Sequence, residues 1–468
     1  MSDTNTNVSH FKRQSNKTIL FYSFGIFSLE FQGFYTLYFF FYETEVLLGI
    51  WFIFLANIIF AIWNAINDPI MGYLTDRPFK FTRKWGKRFP WIIASGIPIF
   101  ITYILLFSPP DIDPQKNALF LFFWLLIILC ISDTLFSIWH VNLLGLYPDK
   151  FRTDDIRRKS AIVMSIMGQI GYIFAMLLPP MFYSFGNKQS YIFMAIICSI
   201  IGVIGMIIMI PGVREDKEMI DRYFRIEEQK ERLSFIKTMK TAVTHRNFVV
   251  FISVHLLIQI FASCATLSIP YYVKYILGIE AMFQIIILGG LVLGLIGSMP
   301  LWSKLAKKFG FRMVYLTSPI IIAILVIPVL FISDLFGSFI ALLLIGIGTG
   351  GSWVIHMPIF SDVMDEIVLK TGVRQEGAYI GFRSFVARFS IIAQTTIFLI
   401  VHSLTGFITG APIGKDTQPL SAIWGIKIHF IVIPMIVVLI AAILIWFFYD
   451  ITEEKKKITQ SKLKELRL

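Results

Sequence analysis

Three polar residues within one apolar stretch form the clearest chemical pattern in this sequence. Asn64, Asn67 and Asp68 stand at positions i, i+3 and i+4, so a helix presents them on one face. Two amide oxygens and a carboxylate are hard oxygen ligands, which hard cations prefer over nitrogen or sulfur. The spacing therefore predicts a partial cation site. The alternative is that Asp68 only holds the neighbouring charged loop.

Further charged or titratable residues also interrupt apolar stretches. They are Glu30, Asp133, His140, His356, Arg383 and Arg388. An ionised side chain inside a bilayer is costly, and such residues are functional candidates for that reason. With Asp68, three carboxylates face two guanidiniums, and a bound proton or metal cation could balance the remaining negative charge. For Asp133 and Arg383 a structural role is the alternative.

The composition requires a membrane around these residues. Of the 468 residues, 56% are hydrophobic and 15% charged, and the mean hydropathy is +0.73. Soluble proteins are about 25% charged, so a soluble enzyme, a nucleic-acid-binding domain and a disordered protein are excluded. The net charge of +12 comes from basic clusters between apolar runs. Such clusters orient a protein in the lipid bilayer.

A helix needs about 20 apolar residues to cross a bilayer, and twelve stretches meet this requirement. The predicted spans are 18–42, 49–75, 90–108, 118–147, 160–184, 189–212, 247–275, 281–304, 312–333, 336–362, 376–404 and 422–449. With the N-terminus in the cytoplasm, 35 of the 42 Lys and Arg residues fall on the cytoplasmic side. This asymmetry predicts a multi-pass protein of the cell (plasma) membrane with both termini cytoplasmic.

The chain divides at a long, charged central segment. We predict an N-terminal tail (1–17), a six-helix bundle (18–213), a central cytoplasmic loop (214–246), a second six-helix bundle (247–449) and a C-terminal tail (450–468). The basic loop after span 2, from Gly72 to Arg88, is echoed after span 8 by residues 303–312. Repeated halves are typical of secondary transporters.

Several motifs identify a family. Residues 63–72 read Trp-Asn-Ala-Ile-Asn-Asp-Pro-Ile-Met-Gly and resemble the span-2 motif of the glycoside–pentoside–hexuronide:cation symporters, typified by melibiose permease. The run Trp85–Trp91, and the segment from Asp362 to Phe382 with Arg374 and Gln375, fit the same family. The resemblance implies an all-α integral membrane protein with the major facilitator superfamily fold, twelve transmembrane helices in two six-helix halves.

The resemblance assigns the coupling cation to Asn64, Asn67, Asp68 and Ser137. Sodium-coupled members carry an acidic residue where this chain has Asn64. One negative charge is therefore missing from the predicted site, which favours a proton carried on Asp68 over sodium, or uncoupled transport. No resident cofactor or metal is expected, apart from a possible sodium ion at Asp68.

The resemblance also implies a substrate site formed by Glu30, His140, Trp353 and Arg388. Glu30 stands where the family has a sugar-binding aspartate, and Arg388 where it has a lysine. His140 replaces a sugar-binding aspartate, and Leu144 replaces a tryptophan one turn later. These two changes disfavour a melibiose-like galactoside. The alternatives are an ion pair between Glu30 and Arg388, and a hydrogen-bonded structural role for His140.

A third predicted group lies in the cytoplasmic loops. The resemblance implies that Asp76 and Arg77, together with acids such as Asp362 and Asp365, latch the cytoplasmic gate in the outward-open state. One surface ion pair is worth only about 0–1 kcal/mol, so a network is required. The alternative is that these charges only set the orientation of the chain.

We expect a monomeric secondary transporter, not an enzyme, that moves a sugar or glycoside by alternating access. Symport with a proton, rather than sodium, is the expected driving force. The first alternative is a carrier of lysophospholipids or other amphiphiles from the same branch, which a hydrophobic side opening would support. The second is a membrane sensor or scaffold that does not transport.

Overall fold

The computed structural model of the protein describes residues 15–77, 79–226, 244–372 and 376–466. Within these residues all regular structure is helical. Most of the predicted N-terminal tail, the middle of the predicted central loop, and Arg374 and Gln375 of the family motif lie outside the described residues. We refer to residues 15–226 as the N-terminal half and to residues 244–466 as the C-terminal half.

Twelve long helical segments follow one another along the chain. In the N-terminal half they are α1 (residues 16–44), α2 (Ile50–Thr75), α3 (Phe89–Leu106), α4 (Ala118–Lys150), α5 (Asp154–Leu177) and α6 (Lys188–Val213). In the C-terminal half they are α7 (Arg246–Leu277), α8 (Gln284–Phe309), α9 (Phe311–Leu330), α10 (Leu335–Thr371), α11 (Glu376–Ala387 and Phe389–Thr405) and α12 (Leu420–Phe448). Short helices, Lys217–Ile226 and Glu453–Leu466, follow α6 and α12.

Eleven of these segments are long and apolar enough, by length and composition, to cross a membrane. The first predicted span differs because its helix changes type. It consists of Asn16–Phe31, a 3₁₀ segment Gln32–Leu37, and Tyr38–Thr44. The continuous run is about 45 Å long at helical rises of about 1.5 and 2.0 Å per residue, enough for a hydrocarbon core of about 30 Å. It extends past the predicted end at residue 42 and so includes Glu43.

Apolar runs of this length fold as helices in lipid because each backbone N–H and C=O must be satisfied within the segment. Departures from α-helix are few and lie at mid-depth or near one end. α11 is interrupted at Arg388, α7 ends in a π-helical turn over Tyr272–Leu277, and α12 contains another over Ile428–Val432. Such irregularities are frequent at functional sites.

Small residues allow the helices to approach closely. A side chain at Gly294 on α8 would collide with the Leu343 carbonyl of α10, and one at Gly346 would collide with the Leu291 carbonyl of α8. The two halves meet where α2 contacts α11, α5 contacts α8, and α1 contacts α7. We call the end of the bundle that carries both chain ends the terminal face, and the other end the opposite face.

Candidate cation and substrate sites

The predicted cation residues meet in one hydrogen-bonded cluster between α2 and α4. Asn67 Nδ2 donates to Asp133 Oδ2 and to Ser137 Oγ, each at 3.0 Å. Asn64 Nδ2 donates to the other oxygen of Asp133, and the Ser137 hydroxyl donates to Asp68. Asp133 and Ser137 stand at i and i+4 on α4 and therefore face α2 together. The cluster thus contains two carboxylates.

Two oxygen atoms in this cluster have unused acceptor capacity. The side-chain oxygens of Asn64 and Asn67 are buried and accept no hydrogen bond from any described residue. Buried polar atoms are nearly always paired, so these two atoms point to a missing partner. Together with the carboxylates and the Ser137 hydroxyl, they form an oxygen-rich set of the kind that binds hard cations.

Arg388 links this cluster to the C-terminal half. Its guanidinium forms an ion pair with Asp68, and Nη1 donates to the Asn64 backbone carbonyl at 2.5 Å. The interruption of α11 lies at Arg388 itself. With Asp68 and Asp133 ionised, one guanidinium leaves a single negative charge. The predicted alternative pairing of Arg388 with Glu30 is not formed.

The predicted substrate residues divide between two places. His140 stacks on Phe136 with ring centroids 5.2 Å apart and lies within electrostatic range of Asp68 and Arg388, at the cation cluster. Glu30 is exposed and forms no ion pair with any described residue. Glu30 and Trp353 both lie near Tyr172.

Tyr172 on α5 connects Glu30 to Trp353. Its ring centroid lies 6.2 Å from that of Trp353, and its hydroxyl is within electrostatic range of Glu30. Trp353 is 45% exposed. The sequence contains no signal that singles out Tyr172 among the many aromatic residues.

A cavity of about 360 Å³ lies between the halves and includes Tyr172 in its wall. None of Glu30, His140, Trp353 and Arg388 lines it. Its apolar wall includes Phe34, Leu37, Met176, Pro180, Leu267 and Leu288, and its polar wall includes Thr36, Gln259, Ser263, Thr266 and Gln394. The lining contains no charged side chain, so the cavity suits an apolar group held by a few hydrogen bonds.

Arg383 forms a separate polar group on the C-terminal side of the interface. Its Nη1 lies 2.8 Å from His356 Nε2, and the His356 ring lies 4.9 Å from that of His255. The guanidinium has no carboxylate partner among the described side chains and packs over the Phe360 ring at 5.6 Å. His356 follows Trp353 by three residues, so the two share one face of α10.

At the terminal face, every ion pair that the structure describes stays within one half. Asp76 pairs with Lys87 at 2.7 Å, and Asp362 pairs with Lys456 at 2.9 Å. Arg77 contacts the Tyr73 hydroxyl at 2.8 Å. The predicted gate residues, with Asp365, thus lie at one face but form no described ion pair between the halves.

The opposite face is closed by polar contacts that the sequence did not indicate. Lys274 on α7 lies 3.4 Å from Glu45 of the N-terminal half, and both side chains are nearly inaccessible. Gln284 donates to the Tyr183 hydroxyl at 2.7 Å. Glu43 and two histidines of the C-terminal half complete the closure. Glu43 lies one residue beyond the predicted limit of span 1, so the sequence does not place it among the charges within the membrane.

The fold is that of an all-helical membrane protein of the major facilitator type. The solved structure of the nucleoside transporter NupG matches with a TM-score of 0.62 at 11% identity, and the match covers 94% of this chain and all of the other. At this identity the likeness concerns the fold alone.

The family follows from the sequence. A model described as MFS/sugar transport protein matches residues 23–453, and the chain belongs to this family. It is therefore a multi-pass membrane transporter and not an enzyme. The predicted family and fold class are confirmed.

Two named relatives differ in what they carry. The chain is 24% identical over 441 residues to a sodium-dependent lysophosphatidylcholine symporter 1-A of Danio rerio, covering 86% of this chain and 79% of the relative. It is 23% identical over 418 residues to a lactose permease of Lactobacillus delbrueckii subsp. bulgaricus, covering 86% of this chain and 64% of the relative. Cation-coupled symporters therefore occur among its homologues.

Proposed function

We propose that this protein is a sodium-coupled symporter whose cation site is built on Asp68 and Asp133. The observation that carries the proposal is the charge and oxygen inventory of the cluster. Two carboxylates and one guanidinium leave one negative charge, and two buried amide oxygens lack a donor among the described residues. One monovalent cation would satisfy both features.

The sequence favoured a proton because Asn64 replaces an acidic residue. Asp133 on α4 accepts a hydrogen bond from Asn64 and adds a second carboxylate to the cluster. The negative charge that is missing at Asn64 is therefore supplied by Asp133. A proton would need only one carboxylate oxygen. The amide oxygens of Asn64 and Asn67 instead support a metal cation with several oxygen ligands, and a relative named sodium-dependent agrees with this choice.

For the transported molecule, the geometry best supports an amphiphile with a charged head and an apolar tail. The cavity is large enough for part of an acyl chain, and its lining carries no charge. Glu30 in one half and Arg383 in the other have no counter-ion among the described residues, and would suit a charged head group. The cavity is lined by α1 and α5 of the N-terminal half and by α7, α8 and α11 of the C-terminal half.

A sugar is the second candidate, favoured by the aromatic rings beside Glu30. Trp353 and Tyr172 offer faces on which a sugar ring could stack, and the Glu30 carboxylate can accept two hydroxyls. The lactose permease relative supports this reading. A sugar would use the Glu30–Trp353 region and leave the apolar cavity unfilled.

We also propose that both termini are cytoplasmic and that the structure is inward-facing. The closed opposite face is then extracellular, and the terminal face opens to the cytoplasm. In the outward-open state, Asp76, Arg77, Asp362 and Asp365 would exchange partners across the halves. The predicted domain limits, with bundles at 18–213 and 247–449, remain part of this proposal.

Uptake by the purified protein in liposomes tests the proposed function. Lysophosphatidylcholine, lactose and glucuronate would be compared under an imposed sodium gradient, an imposed proton gradient, and no gradient. We expect sodium-driven accumulation of the lysophospholipid. Accumulation of lactose alone would establish the sugar reading, and no uptake of any compound under any gradient would support a sensor or scaffold.

A further inference from the structure

A buried chain of titratable residues closes the opposite face and belongs to neither candidate site. Glu43 Oε1 on α1 lies 2.8 Å from His402 Nδ1 on α11, and the Tyr271 hydroxyl on α7 donates to Glu43 Oε2 at 2.5 Å. His402 Nε2 lies 3.3 Å from His429 Nε2 on α12. The side chains of Glu43, His402 and His429 are at most 3% exposed, so water does not supply their missing donors or acceptors.

The hydrogen positions along this chain follow from its far end. The Ser268 hydroxyl donates to the Cys264 carbonyl at 2.6 Å, so its oxygen accepts from His429 Nδ1 at 2.7 Å. A neutral imidazole that carries its hydrogen on Nδ1 accepts at Nε2. His402 Nε2 must therefore donate to His429.

One further proton is needed at the contact between Glu43 and His402. His402 already donates through Nε2, so its contact with Glu43 at Nδ1 can take two forms. Either a doubly protonated His402 donates to the Glu43 carboxylate, or a protonated Glu43 donates to a neutral His402. Either arrangement is neutral overall. Without this proton, Ser268 would have to turn from Cys264 to His429, and Glu43 would remain as an uncompensated buried charge, which is costly.

We infer that the closed opposite face binds one proton, shared by Glu43 and His402, and that opening this face releases it. Glu43 comes from the N-terminal half, whereas His402, His429 and Tyr271 come from the C-terminal half. Separation of the halves at this face must break the Glu43–His402 contact and expose both groups to water. Because the closed state binds the proton more tightly, a lower pH stabilises the closed state.

The local backbone supports a movable role for these residues. His429 lies within the π-helical segment of α12, and Tyr271 directly precedes the π-helical end of α7. A π-helical turn can relax to an α-helical turn and rotate the residues that follow. Two members of the chain from the C-terminal half therefore lie where helix geometry can change.

The other titratable groups around Glu43 do not account for a transition between pH 5 and pH 8. Glu45 is compensated by Lys274 at 3.4 Å, and tyrosines ionise only near pH 10. The groups that face the cluster are Glu45 directly after α1, Tyr183 after α5, Tyr191 on α6, and Lys274 and Tyr275 on α7.

At the terminal face, burial raises the pKa of Asp450, but hydrogen bonds from Lys455 and Asn247 outweigh it and hold that pKa below its ordinary value. Asp450 thus stays ionised over the same pH range. Further titratable groups between the halves include the acids of the cation cluster with His140, and His255 and His356 beside Arg383. The D68N variant tests the cation cluster.

The test is a distance measurement across the opposite face of the full-length protein. Spin labels on K116C and K415C, two exposed loop positions in different halves, would be introduced after replacement of Cys130, Cys198 and Cys264. The closed-to-open ratio would be followed from pH 5 to pH 8 without substrate. This readout does not depend on transport, and so it is independent of the proposed function.

We expect the closed population to rise at low pH, by at most about tenfold per pH unit for one linked proton. E43Q and H402Q should each reduce this change to less than about twofold, and E43Q, which is neutral at all pH values, should stay closed. D111N, which removes an exposed acid at the same face, should keep the full pH response. D68N removes the Arg388–Asp68 contact between the halves and should shift the closed-to-open ratio, while the dependence of that ratio on pH persists.

Folding of each variant would be checked by its elution profile and melting temperature. A pH-independent distance in the parent protein would overturn the inference, as would a full pH response in both folded E43Q and folded H402Q. Loss of the response in D68N alone would assign the proton to the cation cluster instead, which also contradicts the inference.

Discussion

Arg388 on α11 donates a hydrogen bond to Asp68 on α2 and thereby joins the two halves at the candidate cation site. A cation bound beside Asp68 would compete with this guanidinium for the same carboxylate. Occupancy of the site would therefore change the strength of a contact between the halves. This relationship gives a physical route by which ion binding could alter the conformational equilibrium of the transporter.

Replacement of Asp68 tests whether coupling depends on this carboxylate. In D68N, the guanidinium of Arg388 loses its only described anionic partner, and the negative charge available to a cation falls by one. We expect gradient-driven accumulation to be lost, while exchange of substrate at equal concentrations persists. Uptake and counterflow in liposomes check this, with D111N at the exposed Asp111 as the control. Full accumulation by D68N would exclude the proposed coupling role.

Relocation of the second carboxylate tests the role of Asp133. Asp133 and Asn64 are in hydrogen-bond contact, so N64D/D133N moves the acid to the neighbouring helix without changing the charge of the cluster. We expect D133N to weaken sodium binding at least about tenfold, equivalent to about 1.4 kcal/mol, and the double variant to recover part of the loss. Sodium titration of thermal stability measures both. An unaffected D133N would show that Asp133 has only a structural role.

Filling the cavity between the halves tests the substrate proposal. Ala175 on α5 lines the cavity, and A175F would occupy space that an apolar tail needs. We expect affinity for lysophosphatidylcholine to fall at least about tenfold, while sodium binding is unchanged. I166F, at an exposed position of the same helix, is the matched control. Equal affinity in both variants would move the tail-binding site elsewhere.

The packing of α8 against α10 can be tested with two glycines. A Cβ atom added at Gly346 would collide with the Leu291 carbonyl oxygen, whereas one added at Gly289 on α8 meets no atom within 4 Å. Overpacking of this kind typically costs about 1–3 kcal/mol. We expect G346L to lower the melting temperature or prevent folding, and G289L to leave it nearly unchanged. Similar melting temperatures for both variants would contradict the close approach of the two helices.

The sequence predicted the helices well because each is a long apolar run that only a helix can satisfy in lipid. The face shared by Asn64, Asn67 and Asp68 was equally predictable, since it depends only on helical spacing. The partnership of Asn64 with Asp133 was not, because it depends on how α2 packs against α4. Residues 69 positions apart carry no local signal of such contact.

The closure of the opposite face was missed for a different reason. The first span was predicted to end at residue 42, whereas the 3₁₀ segment Gln32–Leu37 and the following α-helix continue to Thr44. Glu43 therefore falls outside the predicted span. His402 and His429 lie within predicted spans, but their contacts with Glu43 and with each other depend on how α1, α11 and α12 pack, which helical spacing alone does not predict.

The most direct test of the central claim is equilibrium binding of radioactive sodium to the purified protein at constant ionic strength. We predict saturable binding of about one ion per protein, as expected for one net negative charge in the cluster, and loss of this binding in both D68N and D133N. D111N should bind as the parent does. Saturable binding that survives in D68N and D133N, or no saturable binding in the folded parent protein, would contradict the account.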